Sequence, residues 1–472
     1  MTPRDPLAAL RDPATIRPRC AAVTAAVADG RSGWFTIDRA QLPVVAHEVA
    51  AITRERFPDL KIPYHSRWRH FEAGGVDRKG ELDGLLAGRS VAEIARTRID
   101  LTVISVLLDA GAGPRWRYTE TRAVDALALP VHRQRGDDLL AMLSAAGGAT
   151  KAEPAAPPPE PAAPVEATAE PSPTFTRSEG LGVASFRAFL AGVFSDDPAD
   201  ALRVDARALK RLDAAALASA FQVSAANPLV GVDGRAALLV RLGEVLQAQA
   251  ARRGGEARPG RLFDDLTEGG ARTSVAAADI LRELVTAYAP IWVSGSRVLG
   301  LPAGDVWPHL WAGDATGPAG AARAGSDGTY RDPASGGWVP FHKLSQWLTY
   351  SLLEPLQWAG IEVTGLDALT GLPEYRNGGL LLDHGVIVPR SRGDLGRTWK
   401  PSDPFIVEWR ALTVTLLDEL AALVRAELGV DAASLPLACI LEGGTWAAGR
   451  RIAQALRDGA PPFRIDSDGT VF

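Results

Sequence analysis

Three stretches toward the C-terminal end set ionisable residues among residues that normally build a core: PFHKLSQW (Pro340–Trp347), GLPEYRNGG (Gly371–Gly379) and DPFIVEWRAL (Asp403–Leu412). Lys343 and Gln346 lie three apart, a spacing that puts them on one face of a helix. Glu374, Tyr375 and Arg376 are consecutive in a turn flanked by proline and glycine, and Glu408 and Arg410 stand near the start of a mostly apolar helix. Buried charges are costly unless they are paired or put to chemical use. In such a set one carboxylate can stabilise an oxocarbenium-like centre or take a proton from water. The other can hold sugar hydroxyls, and the cations can receive a phosphate. The same residues equally suit a structural ion-pair network that ties helices together.

Two further groups carry potential chemistry. HSRWRHFEAGG packs two histidines, two arginines, a tryptophan and a glutamate between His65 and Glu72. Arg67 and Arg69 could fork onto a phosphate or carboxylate, and Glu72 could orient a histidine. The alternative is a solvated loop knotted by local ion pairs. WPHLWAGD, from Trp307 to Asp314 with Asp305 just before it, could wall a pocket through Trp307 and His309, or be a surface loop pinned by its tryptophans. Nine of the twelve tryptophans lie at or beyond Trp292, so any indole-lined pocket is expected in the C-terminal half.

Other chemistries lack their residues. HExxH, CxxC, GxSxG and GxxxxGK[ST] are all absent, and DAGAG (Asp109–Gly113) lacks the dinucleotide fingerprint. Seven scattered histidines make no metal-ligand pattern. The two cysteines, Cys20 and Cys439, are too few for a disulfide framework or a thiolate metal site. A formal charge of -5 disfavours general nucleic-acid binding, and no run of eighteen apolar residues offers a membrane span. The N-terminus has no signal-peptide core. The expectation is a cytoplasmic protein with a small-molecule substrate, no cofactor, no metal, no nucleic acid and no membrane contact.

The elements that must position these groups read as helices. Leu42–Phe57 has helical apolar spacing, whereas Pro63–Arg78 is too mixed and glycine-rich for a regular element. SVAEIARTRIDLTVISVLLDAGAGPRW reads as two helices and a glycine-rich turn, with Ser90 and Glu93 as a capping box. Helical period returns after Ser178, fades over Gly255–Gly269, resumes in SVAAADILRELVTAYAPIW and is lost from Val298 to Gly337. Helices are expected over Lys343–Trp358, around Leu380, and over Pro404–Leu428, where Asp403 stands at the N-cap and Pro404 at the first helical position. A small hairpin is expected around Asp468–Gly469. Residues 148–176, rich in proline, alanine and glutamate, read as a disordered loop, either linker or insertion. The expected organisation is a helical region over 1–147, this loop over 148–176, and a helical catalytic region over 177–472 packing on the first, with a few short strands.

PYHSRWRHFEAGGVDR, LLDAGAGPRWRY, RSEGLGVASFRAF and the long C-terminal segment resemble, over nearly the whole chain, the uracil-catabolism family of fungi and bacteria formerly described as a domain of unknown function. That resemblance implies a step in the breakdown of uracil through a ribosylurea-type intermediate. The C-terminal half is also similar, more distantly, to the queuosine salvage proteins, which are helical N-glycosidases with a fold akin to DNA glycosylases. Their aromatic-Pro-x-aromatic segment is echoed by WPHL (Trp307–Leu310). Their Lys-Arg-Ala-Gln reads KLSQ here, keeping Lys343 and Gln346, and their Ala-Asp-Tyr-Arg reads PEYR, with Glu374 in place of aspartate and Tyr375 and Arg376 kept. SDPFIVEWR keeps their Asp403, Glu408 and Arg410, and ILEGGTW keeps an acid, Glu442, and the closing Trp446 while losing two aromatics.

This second resemblance implies a mainly α, DNA glycosylase-like helical fold. It also implies an N-glycosidase that hydrolyses ribosylurea or its 5′-phosphate to urea and ribose or ribose phosphate. Glu374 and Glu408 would be the catalytic acids. Lys343, Gln346, Tyr375, Arg376, Arg410, Glu442 and Trp446 would contact substrate, with Trp307 and His309 on one wall and His65, Arg67 and Arg69 on the other. The kept residues suit a ribose phosphate, and the losses fall where a bulky base would stack. Two other classes remain open: an amidohydrolase or ring-opening enzyme of the same pathway, and a non-catalytic nucleotide-binding or scaffold protein.

Overall fold

The Pro404–Leu428 helix forms where its start signals stand, with Asp403 at the N-cap and Pro404 at the first helical position. The Asp403 side chain does not cap the helix. Its carboxylate turns back to accept the Lys400 N–H at 2.8 Å. The helix ends at Gly429, whose left-handed φ of 71° suits glycine. Ile406, Trp409, Thr413, Leu416, Leu417, Leu420 and Val424 are all buried, as their spacing demands. The helices Ile16–Ala28 and Leu42–Arg56 pack on this face. Each fully buried leucine here contributes roughly 1.5–3 kcal/mol.

A computed structural model of the chain describes residues 7–109, 111–120, 172–292, 295–313 and 337–466. The described residues are mainly α-helical with a few short strands. A second helical layer is built on Lys343–Trp358, which packs against Val91–Leu107. The latter is one helix, not two, because its apolar period runs without a breaker up to the glycine-rich turn beyond Leu108. Ser90 caps it by accepting the Glu93 N–H at 3.2 Å. Glu93 does not return the bond; it pairs instead with Arg96 at 3.1 Å and Arg258 at 2.6 Å. Tyr375–Asp383 lies against Trp446–Arg457. Gly449 allows that approach, since a Cβ there would fall 2.3 Å from the Arg376 carbonyl oxygen.

The strands come as short two-stranded pairs that staple distant segments. Phe35–Ile37 runs antiparallel to Ile387–Pro389, and Ser274–Ala276 runs parallel to Glu362–Thr364. Val306–Pro308 runs antiparallel to Trp338–Pro340. Local pairing thus replaces the plain loop expected after Val298, where Ser296–Val298 also pairs with Leu301–Gly304. Arg464–Ile465 pairs in parallel with Thr398–Trp399, and the hairpin expected around Asp468–Gly469 lies outside the described residues. Leu262–Thr267 is a helix inside the stretch read as loop, closed by burial of Leu262, Phe263 and Leu266. Arg67–Phe71 is likewise a short helix, with Trp68 and Phe71 buried beneath it.

The proline- and alanine-rich segment falls largely outside the described residues. Its last residues do not: Thr174–Thr176 is a strand antiparallel to Arg117–Thr119, with Thr119 opposite Thr174. The two described ends of the stretch between Thr119 and Thr174 are therefore held opposite each other. A continuous hydrophobic core runs from Ile16 to Phe463 and draws on both sides of that pair.

Candidate functional site

A cavity of about 480 Å³ opens between the Arg67–Phe71 helix, the Thr174–Thr176 strand and the start of Trp446–Arg457. His65, Arg69, His70, Glu442, Trp446 and Arg450 face it. Four of the fourteen residues singled out from the sequence thus meet here: His65, Arg69, Glu442 and Trp446. Glu442 comes to the wall because the chain makes a π-helical turn over Leu441–Thr445 between two α-helices. π-turns are rare and re-aim side chains. This one is seated by Gly444, where a Cβ would lie 2.6 Å from both the Val49 carbonyl oxygen and its side chain.

Within the cavity Glu442 receives His65 Nδ1 at 2.9 Å on one oxygen and Arg56 at 2.9 Å on the other. Burial pushes this carboxyl up, but the His65 and Arg56 contacts outweigh it and hold Glu442 below the usual glutamate range. The expected partner for a histidine, Glu72, is engaged elsewhere: it pairs with Arg69 at 2.8 Å. Arg69 also reaches Glu354 at 2.7 Å. Arg450 pairs with Glu179 at 2.8 Å and lies 4.1 Å over the Trp446 ring.

Behind the cavity lies a buried layer of charge. Arg67 is fully buried, pairs with Asp109 at 3.2 Å, donates to Ser105 Oγ at 2.6 Å and sits 5.6 Å over the Trp347 ring. Its second Nη has no hydrogen-bond partner among the described residues, and neither has Trp347 Nε1. Asp109 and Lys343 interact electrostatically, and the strongest charge acting on Lys343 is that of Glu374. Lys343 is half-buried at the first position of its helix. Burial lowers its pKa, against the pull of Glu374.

Glu374 is the N-cap of Tyr375–Asp383. Its two oxygens accept the Arg376 and Asn377 N–H groups, each at 2.7 Å. Burial raises its pKa, opposed by these two hydrogen bonds and by the Lys343 and Arg376 charges. Tyr375 is 37 % exposed and stacks on Arg376, whose guanidinium carbon lies 4.7 Å from the ring centre. Arg376 Nη1 donates to the Gly459 carbonyl at 3.4 Å. Gln346 donates to Thr370 Oγ1 at 2.8 Å, and its carbonyl oxygen has no partner among the described residues.

The remaining predicted residues form two other clusters. Arg410 grips Asp305 through two bonds of 2.7 Å, and Trp307 Nε1 donates to the same carboxylate at 2.6 Å. A guanidinium so engaged neutralises an internal carboxylate, which is a different task from holding a substrate phosphate. Glu408 is 1 % exposed, accepts the Ser32 hydroxyl and lies 3.7 Å from His309 Nε2. Its contacts are thus distinct from those of Glu374, although both carboxylates stand on neighbouring segments.

Sequence reasoning missed His70, Arg56, Arg450 and Asp109. His70 lay inside the quoted HSRWRHFEAGG motif, and helical spacing from Arg67 would have put the two on one face. Arg56 and Arg450 carried no signal, because their roles depend on the π-turn.

Comparison with other proteins accords with the first resemblance. A family described as "Protein of unknown function (DUF1688)" matches residues 9–136 and 165–472. Protein urg3 of Schizosaccharomyces pombe is 36 % identical over 452 residues, covering 93 % of this chain and 92 % of that protein. Uracil catabolism protein 4 of Lachancea kluyveri is 35 % identical over 472 residues, covering 94 % and 93 %. The resemblance to the uracil-catabolism family is borne out over most of the chain, and the chain belongs to the DUF1688 family.

Proposed function

We propose that this protein is an N-glycosidase of uracil catabolism that hydrolyses the C1′–N bond of a ribosylurea, or of its 5′-phosphate. The observation that carries this reading is the buried Glu374 carboxylate. Glu374 is held rigid by two helix N–H bonds of 2.7 Å, so its remaining lone pairs have a fixed direction. A fixed, buried carboxylate is suited to stabilising the positive charge that develops at an anomeric carbon. It is equally suited to guiding the attacking water. Tyr375 and Arg376, next in sequence, would bound the sugar.

Pathway membership comes by kinship: one relative is named for uracil catabolism and covers nearly the whole chain. The motif resemblance to queuosine salvage proteins supports the reaction class through Lys343, Gln346, Tyr375 and Arg376, the residues kept from that family's motifs. Glu408 and Arg410 match as well. Their buried partners suit them to the frame of the site, and contact with substrate would fall to Glu374 and Lys343.

The test is product analysis by mass spectrometry on purified protein given synthetic ribosylurea and its 5′-phosphate. Urea plus free sugar, or sugar phosphate, is the expected outcome, and the better substrate of the two shows whether phosphate is recognised. Ammonia in place of urea would move the activity to amide hydrolysis. Tight binding without cleavage would move it to a binding role.

A further inference from the structure

His65 and His70 line the same cavity, and each has one ring nitrogen committed to a neighbour of fixed polarity. Arg67 Nη1 lies 3.0 Å from His70 Nδ1. A guanidinium can only donate, so His70 Nδ1 must accept, and the ring proton of neutral His70 sits on Nε2. Burial and the adjacent Arg67 charge keep this imidazole neutral, since both push its pKa well below the ordinary histidine value. Glu442 imposes the opposite tautomer on His65. The carboxylate can only accept, so Nδ1 of His65 carries the proton and Nε2 of the neutral ring is an acceptor. Neither Nε2 has a hydrogen-bond partner among the described residues. When His65 is neutral, the cavity therefore presents one N–H donor, on His70, and one nitrogen acceptor, on His65.

The charges around it are already balanced. Arg56 pairs with Glu442 at 2.9 Å, Arg450 with Glu179 at 2.8 Å, and Arg69 with both Glu354 at 2.7 Å and Glu72 at 2.8 Å. Three guanidinium groups thus face four carboxylates. A phosphate entering here would bring its charge among four carboxylates already paired with these arginines, and it would meet a lone pair at neutral His65. A neutral group meets neither obstacle.

We infer that this cavity is the binding site for a neutral group carrying an N–H beside a C=O, a urea or amide, with His70 Nε2–H donating to the carbonyl oxygen and His65 Nε2 accepting the N–H. The inference rests on the proposed glycosidase reading only for the identity of the group: it would be the ureido half of the substrate.

The experiment uses the full chain labelled with ¹⁵N-histidine and titrated by NMR with N-methylurea, and separately with inorganic phosphate. His70 is expected as the Nε2–H tautomer and His65 as the Nδ1–H tautomer. N-methylurea should shift both Nε2 resonances, and phosphate should neither shift them nor compete. His70→Phe and Glu442→Gln should each weaken N-methylurea about tenfold, the expected effect of losing one hydrogen bond or one fixed tautomer. Phosphate competing at these resonances would overturn the inference. So would the opposite tautomers, the absence of any shift with N-methylurea, or unchanged affinity in both variants. The readout is binding, so it stands apart from the glycosidase assay. Urea binding without C1′–N cleavage would sink the proposed reaction alone, and cleavage without urea binding here would sink this site alone.

Discussion

Arg410 and Asp305 form a bidentate ion pair between two segments 105 residues apart, with both bonds at 2.7 Å and both side chains buried. Asp305 also accepts the Lys343 N–H at 3.0 Å, at the first residue of that helix. The pair thus fixes where Lys343 begins and where its charge points. Burial pushes the Asp305 carboxyl up, yet Arg410 and the N–H bonds from Lys343 and Trp307 hold it below the ordinary aspartate value.

Breaking this pair should cost far more than a surface ion pair. Asp305→Ala leaves the guanidinium buried and uncompensated, and should lose about 3–5 kcal/mol by chemical denaturation. The double variant Asp305→Leu with Arg410→Met should recover much of the loss, since apolar residues of similar size often replace buried pairs at little cost. A double variant no more stable than Asp305→Ala would show that the hydrogen bonds to Lys343 and Trp307 matter more than the ion pair.

Glu374→Gln should lower kcat by at least ~100-fold, the scale of a lost acid–base or charge-stabilising group. The stability cost should be only about 0.5–2 kcal/mol, as for other N-caps. The activity of the unaltered protein should fall in acid with a limb above the usual glutamate pKa, because the carboxylate must be ionised and burial raises its pKa. Between the ordinary and the raised value the folded state holds more protons than the unfolded one. Ionising Glu374 therefore costs stability as pH rises through that window, and this slope should vanish in Glu374→Gln. A pH–rate profile and denaturation series on both proteins check it.

Gly444→Ala should destabilise by about 1–3 kcal/mol, because the new methyl group meets the Val49 backbone at 2.6 Å. The turn must shift to relieve it, and Glu442 moves with the turn. Loss of the His65 Nδ1–H signal in the variant would report that movement directly. A variant of full stability with an unshifted His65 would disprove the seating of the turn.

Glu442 itself makes a prediction of opposite sign to Glu374. Its folded-state pKa is held down by His65 and Arg56, so its contribution to stability is complete above the ordinary glutamate value and is lost as pH falls through the lowered one. Glu442→Gln should flatten the acid side of the stability profile, measured by thermal unfolding across pH.

Much of the helical frame could be read from the sequence. Leu42–Arg56, Lys343–Trp358 and Pro404–Leu428 form where apolar spacing and the Asp403–Pro404 start signal predict them. These are local properties, set within a few turns. What could not be read depends on long-range closure. Arg56 meets Glu442 across 386 residues, and Arg410 meets Asp305 across 105. The Asp403 side chain, placed at a cap by pattern, instead serves the Lys400 turn. Glu374 could have been found as a cap from its place before a polar-to-apolar helical run.

The pairing of Thr119 with Thr174 has a consequence for how this protein can vary. Both ends of the intervening stretch are fastened in one hydrogen-bonded register, so a change in its length need not alter the placement of the described helices. Doubling such a stretch costs only about 0.6 kcal/mol in closure entropy. This is a natural graft point: a foreign domain or reporter spliced between the two strands would ride on the protein beside the Thr174–Thr176 wall of the cavity. A reporter there would sense occupancy of the cavity without touching the core.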